Sequence, residues 1–169
     1  FYSTPKIYFN KKTFSGRPFL YFCYGASVTE VTIDTLTGEN IIDRVDILQD
    51  AGKAINPVLE LGQIEGGFVQ GQGWLTMEEV NWKPNGQITT ISPSTYKIPA
   101  SSDIPKIFNV EIFKQGKNKE NVVNKSKTTG EPPLMLAMSV FYAIKDAVAS
   151  AGEYKVIQNL MPQQHQKKF

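Results

Sequence analysis

The most constraining feature of this chain is the run Ser126-Lys127-Thr128-Thr129-Gly130-Glu131-Pro132-Pro133, which opens onto its clearest helical pattern. Leu134, Ala137, Met138, Phe141, Ile144 and Val148 recur at three- and four-residue intervals. That spacing places them on one face of a helix and predicts burial of that face. Pro132 and Pro133 fit only a first turn, where a missing N–H leaves no intrahelical bond unmade. The helix is expected to end near Gly152. Glu131 then stands at its mouth, next to the permissive backbone of Gly130. The helix dipole favours an ionised carboxylate there, and burial favours the neutral form. A fixed carboxylate under opposed influences suits a general base. A carboxylate that only complements the dipole fits the same pattern.

A second helix is predicted upstream. Asn56 followed by Pro57 reads as an N-cap and a first helical position. The helix runs to about Glu79 and carries Gly62, Gly66, Gly67, Gly71 and Gly73. Each glycine costs about 1 kcal/mol relative to alanine. The four-residue spacings Gly62/Gly66 and Gly67/Gly71 call for another backbone, or a bulky ligand, against the helix. A phosphate loop is excluded, because Gly71-Gln72-Gly73 lacks a third glycine and a preceding strand, and no Gly-Lys-Ser/Thr occurs.

The remaining segments read mainly as strands and turns. Phe19 to Tyr24 is apolar on both alternating sets, as in a strand covered on two faces. Val31 and Ile33 alternate with polar neighbours, 35–39 reads as a turn, and Ile41 to Gln49 as the returning strand of an antiparallel hairpin. A short hairpin is expected over 81–91, an ordered loop anchored by Tyr96 and Ile98 over 93–105, and a strand over 108–113. Residues 1–16 show no period and are expected to lie as a strap, with exposed aromatics. The lysines between 114 and 125 form a solvated surface without the aromatic platform that single-stranded nucleic acid needs. Without a regular βαβ rhythm, the fold class is α+β, with mixed or antiparallel strands and two main helices. Residues 1–152 form one (sub)domain and 153–169 a loosely held tail.

The 169 residues suffice for one core, and a net charge of +2 argues against nucleic-acid or anionic-membrane partners. The one cysteine, Cys23, precludes an internal disulfide and suits a reducing cytosol, so a cytoplasmic location is expected. With one histidine, His165, no His/Cys metal cage is available. No apolar run is read as long enough to span a bilayer. A start at Phe1 with no signal segment suggests a piece of a longer polypeptide.

Ser-Lys-x-x-Gly-Glu-Pro-Pro-Leu, beginning at Ser126, resembles the signature of the molybdenum hydroxylases. So do Tyr24–Val31, Ile55-Asn56-Pro57, Gly62-Gln63-Ile64-Glu65-Gly66-Gly67, Gln70-Gly71-Gln72-Gly73 and Pro93–Pro99, in the same order. Several ordered motifs are more specific than any one of them. The likeness is greatest to the C-terminal part of the molybdenum-binding subunit in the bacterial xanthine dehydrogenase branch. It implies an α+β piece of the molybdopterin-binding domain and an oxidoreductase that hydroxylates hypoxanthine or xanthine with oxygen from water. It also implies a molybdenum–molybdopterin cofactor, with iron–sulfur clusters and FAD on other segments or subunits. The upstream half of the same subunit, the iron–sulfur/FAD subunit and a purine are the implied partners. The motif match assigns the general base to Glu131 and a pterin contact to Gln63, whose amide both donates and accepts. No residue here is implied as a metal ligand. An aldehyde oxidase-like or other N-heterocycle hydroxylase is the alternative within the family; a piece that is inert when isolated is the alternative outside it. Thr128-Thr129 replaces the small apolar pair expected before Gly-Glu.

Overall fold

The computed structural model describes residues 3–155. The order of elements is β1 (Tyr8–Asn10), β2 (Ser15–Arg17), β3 (Gly25–Ile33), β4 (Asn40–Gln49), α1 (Pro57–Thr76), β5 (Ile107–Ile112), α2 (Pro132–Leu136) and α3 (Met138–Ala151). β3 and β4 form the expected antiparallel hairpin, with a register shift at Glu30/Val31. β5 joins the other edge of β4 in parallel. A parallel neighbour requires a long crossover, which α1 and the loops after it supply. The class is therefore α+β with a mixed three-stranded sheet.

Alternation along β4 turns Ile42, Val45, Ile47 and Gln49 inward. These meet Ile64, Phe68 and Leu75 of α1 and Ala137 and Val140 at the α2–α3 junction, forming the core. The Phe68 and Phe108 rings lie 5.5 Å apart. α1 starts as the sequence predicts, with Pro57 in its first turn and Asn56 Oδ1 accepting from the Leu59 amide. It ends at Thr76, three residues before the expected end.

The glycines of α1 divide between two faces. A Cβ added at Gly71 would lie 2.4 Å from the Leu134 carbonyl oxygen, and one at Gly67 3.2 Å from Pro133 Cβ. The α2 backbone is therefore the partner that the Gly67/Gly71 spacing required. Gly62 and Gly66 face open space.

The helix expected as one piece from Pro132 is interrupted at Ala137, where α2 gives way to α3. Ser27 Oγ of β3 donates to the Leu136 carbonyl at 2.7 Å and Ser139 Oγ to the same oxygen at 2.9 Å. Hydroxyls thus satisfy an acceptor at the break. The stretch Pro132–Ala151 contains a window with a mean hydropathy of 1.4 and passes length and composition criteria for a membrane span, which corrects the expectation that no run could. Ala137 and Val140 are nevertheless fully buried in the core.

Other expectations change too. Phe19 to Tyr24 forms no strand, and Phe19, Phe22 and Tyr24 are exposed. Apolar alternation alone cannot tell a two-faced strand from a segment whose cover is absent from this chain. The strap over 1–16 contains most of the antiparallel hairpin β1–β2, with Tyr8, Phe9 and Phe14 exposed. The hairpin over 81–91 is reduced to one bridge, Trp82 to Ile88, around a turn with Gly86 at φ +83°. Tyr96 anchors its loop by donating to Glu78 at 2.5 Å, whereas Ile98 is exposed. Most of the tail expected over 153–169 lies outside the described residues.

Candidate functional site

The segment before Glu131 is tied down at its start. Ser126 bridges Gly52, whose φ of +64° suits glycine, and the Lys127 amide donates to the Ala51 carbonyl at 2.8 Å. Asn118 Nδ2 donates to the Ser126 carbonyl at 2.9 Å. The Lys127 side chain turns inward to Asp50, with Nζ 2.5 Å from Oδ2. Both side chains are nearly buried, at 8% and 12% exposure. The ammonium also lies 5.1 Å from the centroid of the Tyr24 ring, a cation–π distance. A lysine at this position can neutralise a buried carboxylate or lie on the surface; the structure places it on the carboxylate. Asp50 was not singled out, since 77 residues separate the partners and no local pattern joins them.

Cys23 lies beside this pair and its thiol donates to the Thr128 carbonyl at 3.3 Å. Burial raises the thiol's pKa, partly offset by the Lys127 charge. It is a half-buried packing residue, and among the described residues no group of three or more His, Cys, Asp or Glu side chains could hold a metal.

From Thr129, which is buried, the chain passes onto α1. A Cβ at Gly67 would lie 3.4 Å from the Gly130 carbonyl oxygen, and one at Gly130 would lie 3.7 Å from Gln63 Oε1. The two residues singled out from the sequence are therefore neighbours: the Gln63 amide reaches the residue immediately before Glu131. Glu131 occupies the N-cap of α2 at φ −97° and ψ −38°, and its side chain makes no capping hydrogen bond. Its side chain therefore does not cap α2 through a hydrogen bond. The carboxylate is exposed in this chain, as is Gln63, so the burial expected at Glu131 is not present.

Gly62, Gln63, Gly66 and Glu131 are all exposed, and Gln63 lies beside the residue that precedes Glu131. A planar polar group could approach the α1 backbone over the two glycines and meet an amide and a carboxylate at the rim. The donor and acceptor groups present, an amide and a carboxylate beside glycines that face open space, suit the polar edge of a pterin. Further along α1, Gln70 and Trp74 line a depression of about 330 Å³ with Tyr96, Leu134 and Met135. The motif around Gln70 was the available signal for it; Trp74 carried none.

Residues 1–105 match the family model of the molybdopterin cofactor-binding domain. The xanthine dehydrogenase/oxidase of Felis catus is 49% identical over 151 residues, which is 89% of this chain and 11% of that protein. The xanthine dehydrogenase of Oryza sativa subsp. japonica is 46% identical over 158 residues, 89% of this chain and 12% of that protein. Among solved structures, quinoline 2-oxidoreductase from Pseudomonas putida 86 aligns with a TM-score of 0.65 at 30% identity, over 72% of this chain and 15% of that one. The chain thus spans about a tenth of the length of the relatives it matches. Ordered motifs, an α+β fold shared with the quinoline 2-oxidoreductase and a family model over more than half the residues agree: the chain belongs to the molybdopterin cofactor-binding domain family of the molybdenum hydroxylases.

Proposed function

We propose that this chain is part of a purine-hydroxylating xanthine dehydrogenase, in which Glu131 is the general base and Gln63 contacts the pterin. The observation that carries the proposal is the proximity of the Gln63 amide to Gly130, the residue immediately before Glu131. When bound, the molybdenum–pterin group supplies an electron acceptor and a place where water-derived oxygen meets the substrate carbon. With that group bound, Glu131 would take up the proton released from the water-derived oxygen. Its backbone is held by α2 and by the packing of Gly130 on α1, so the carboxylate reaches the reacting oxygen at little entropic cost. The exposed face becomes dry when the rest of the subunit covers it, which keeps bulk water from the reacting atoms. Gln63 donates and accepts at a pterin edge and fixes its orientation.

Purines are the substrate class supported by the 49% identical relative. The 30% identical quinoline 2-oxidoreductase favours another N-heterocycle as the second reading. The upstream half of the subunit, iron–sulfur and FAD segments and a cytoplasmic location belong to the same proposal. The test is Glu131→Gln in the full-length enzyme. It should retain fold and molybdenum and lose turnover of xanthine by at least about 100-fold, the scale of a lost general base. Turnover within a few-fold of the parent removes the assignment. Parallel assays with xanthine and with quinoline separate the two substrate classes.

A further inference from the structure

We infer that the buried Lys127–Asp50 pair is a positioning device for Glu131, an inference that rests on the base role proposed above. Among the described residues, no backbone–backbone hydrogen bond involves Thr128, Thr129 or Gly130. The last such bond before Glu131 is the one from the Lys127 amide to Ala51. Between that bond and α2, backbone hydrogen bonding leaves the segment free to slide. What fixes it, besides the packing of Gly130 on α1, is side-chain chemistry: the Lys127 ammonium on Asp50 Oδ2 and the Cys23 thiol on the Thr128 carbonyl.

Asp50 is itself held. Its other oxygen accepts from the Gly52 amide at 2.8 Å, and a Cβ at Gly116 would lie 2.4 Å from that same oxygen. The carboxylate is therefore clamped between the turn after β4 and the 114–118 loop. Lys127 is tied at both ends, by its amide to Ala51 and by its ammonium to Asp50. A pair this close and this well screened from water has one geometry, unlike an exposed ion pair. The five residues from Lys127 to Glu131 then act as a short arm whose origin is fixed to the sheet and whose tip meets α1. Displacing the origin by about 1 Å would move the base relative to its substrate, an error that can cost about 100-fold in rate.

The test uses the full-length holoenzyme. Lys127→Met leaves a buried unpaired carboxylate and can fail to fold. Lys127→Met/Asp50→Asn removes both charges and is the primary variant, with Lys127→Arg as the conservative one. For the double variant, molybdenum content should stay at the parent level, kcat should fall about 100-fold, and KM should change less than about threefold. Lys127→Arg should recover at least a tenth of the parent kcat. Hydrogen exchange on protein freed of cofactor gives a readout independent of turnover: amides of 128–131 should exchange at least tenfold faster in the double variant, with α3 unchanged. Parent-level kcat, or unchanged exchange over 128–131, overturns the inference. So does a drop confined to KM. If Glu131→Gln keeps turnover, the base reading fails and the positioning of Glu131 falls with it, whatever the double variant does. If Glu131→Gln is inactive and the double variant is not, the arm fails alone.

Discussion

Gly71→Ala and Gly66→Ala make the same chemical change on the same helix and should act in opposite directions. At Gly71 the new methyl group meets the Leu134 carbonyl oxygen at 2.4 Å and Ala137 Cβ at 2.8 Å. A comfortable carbon-to-oxygen contact is about 3.3–3.6 Å. The first atom is backbone, so relief requires α1 and α2 to part by about 1 Å. Overpacking of this kind costs about 1–3 kcal/mol. Alanine returns about 1 kcal/mol of helix propensity, leaving a net loss near 1–2 kcal/mol at the severe end of the steric range. At Gly66 nothing lies within 4 Å, so only the gain remains, about 0.4–1 kcal/mol. The two variants should therefore differ by about 2 kcal/mol, or roughly 4–8 °C in Tm for a chain of this size. Thermal unfolding of both cofactor-free variants, followed by circular dichroism, measures the gap. A Gly71→Ala Tm equal to or above that of Gly66→Ala would show that α2 does not pack on α1 as described.

The pH dependence of the β1–β2 hairpin should trace to Glu120. Hydrogen bonds from Lys6 and Arg17 hold its pKa below the ordinary 4.5. A depressed folded-state pKa contributes stability that is present above the unfolded value and lost as pH falls through the folded one. Amide exchange in 8–17 should therefore accelerate below about pH 4.5, and Glu120→Gln should remove that acceleration; a variant with the parent pH profile would clear Glu120 of the role. Phe68→Ala, at a fully buried position against Phe108, should cost about 3–5 kcal/mol, read as a lower urea midpoint with little change in slope. A loss under 1 kcal/mol would mean that Phe68 is not central to the core.

Local rules carried much of this chain. An asparagine before a proline set the start of α1, alternating residues around a glycine turn gave the β3–β4 hairpin, and two prolines fixed the entry of α2. Each depends on backbone sterics or on side-chain period, which act within a few residues. The motif order pointed to the family for the same reason, since it is written in the linear sequence. Tertiary structure alone decided which glycines are packed and which face open space, because that depends on what another segment brings alongside. It also decided that Phe19–Tyr24 has no strand partner, and that two hydroxyls on the Leu136 carbonyl mark a break in the final helix. The Lys127–Asp50 contact joins residues 77 apart, and only the folding of β4 against the 126–130 segment brings opposite charges into one nearly dry place.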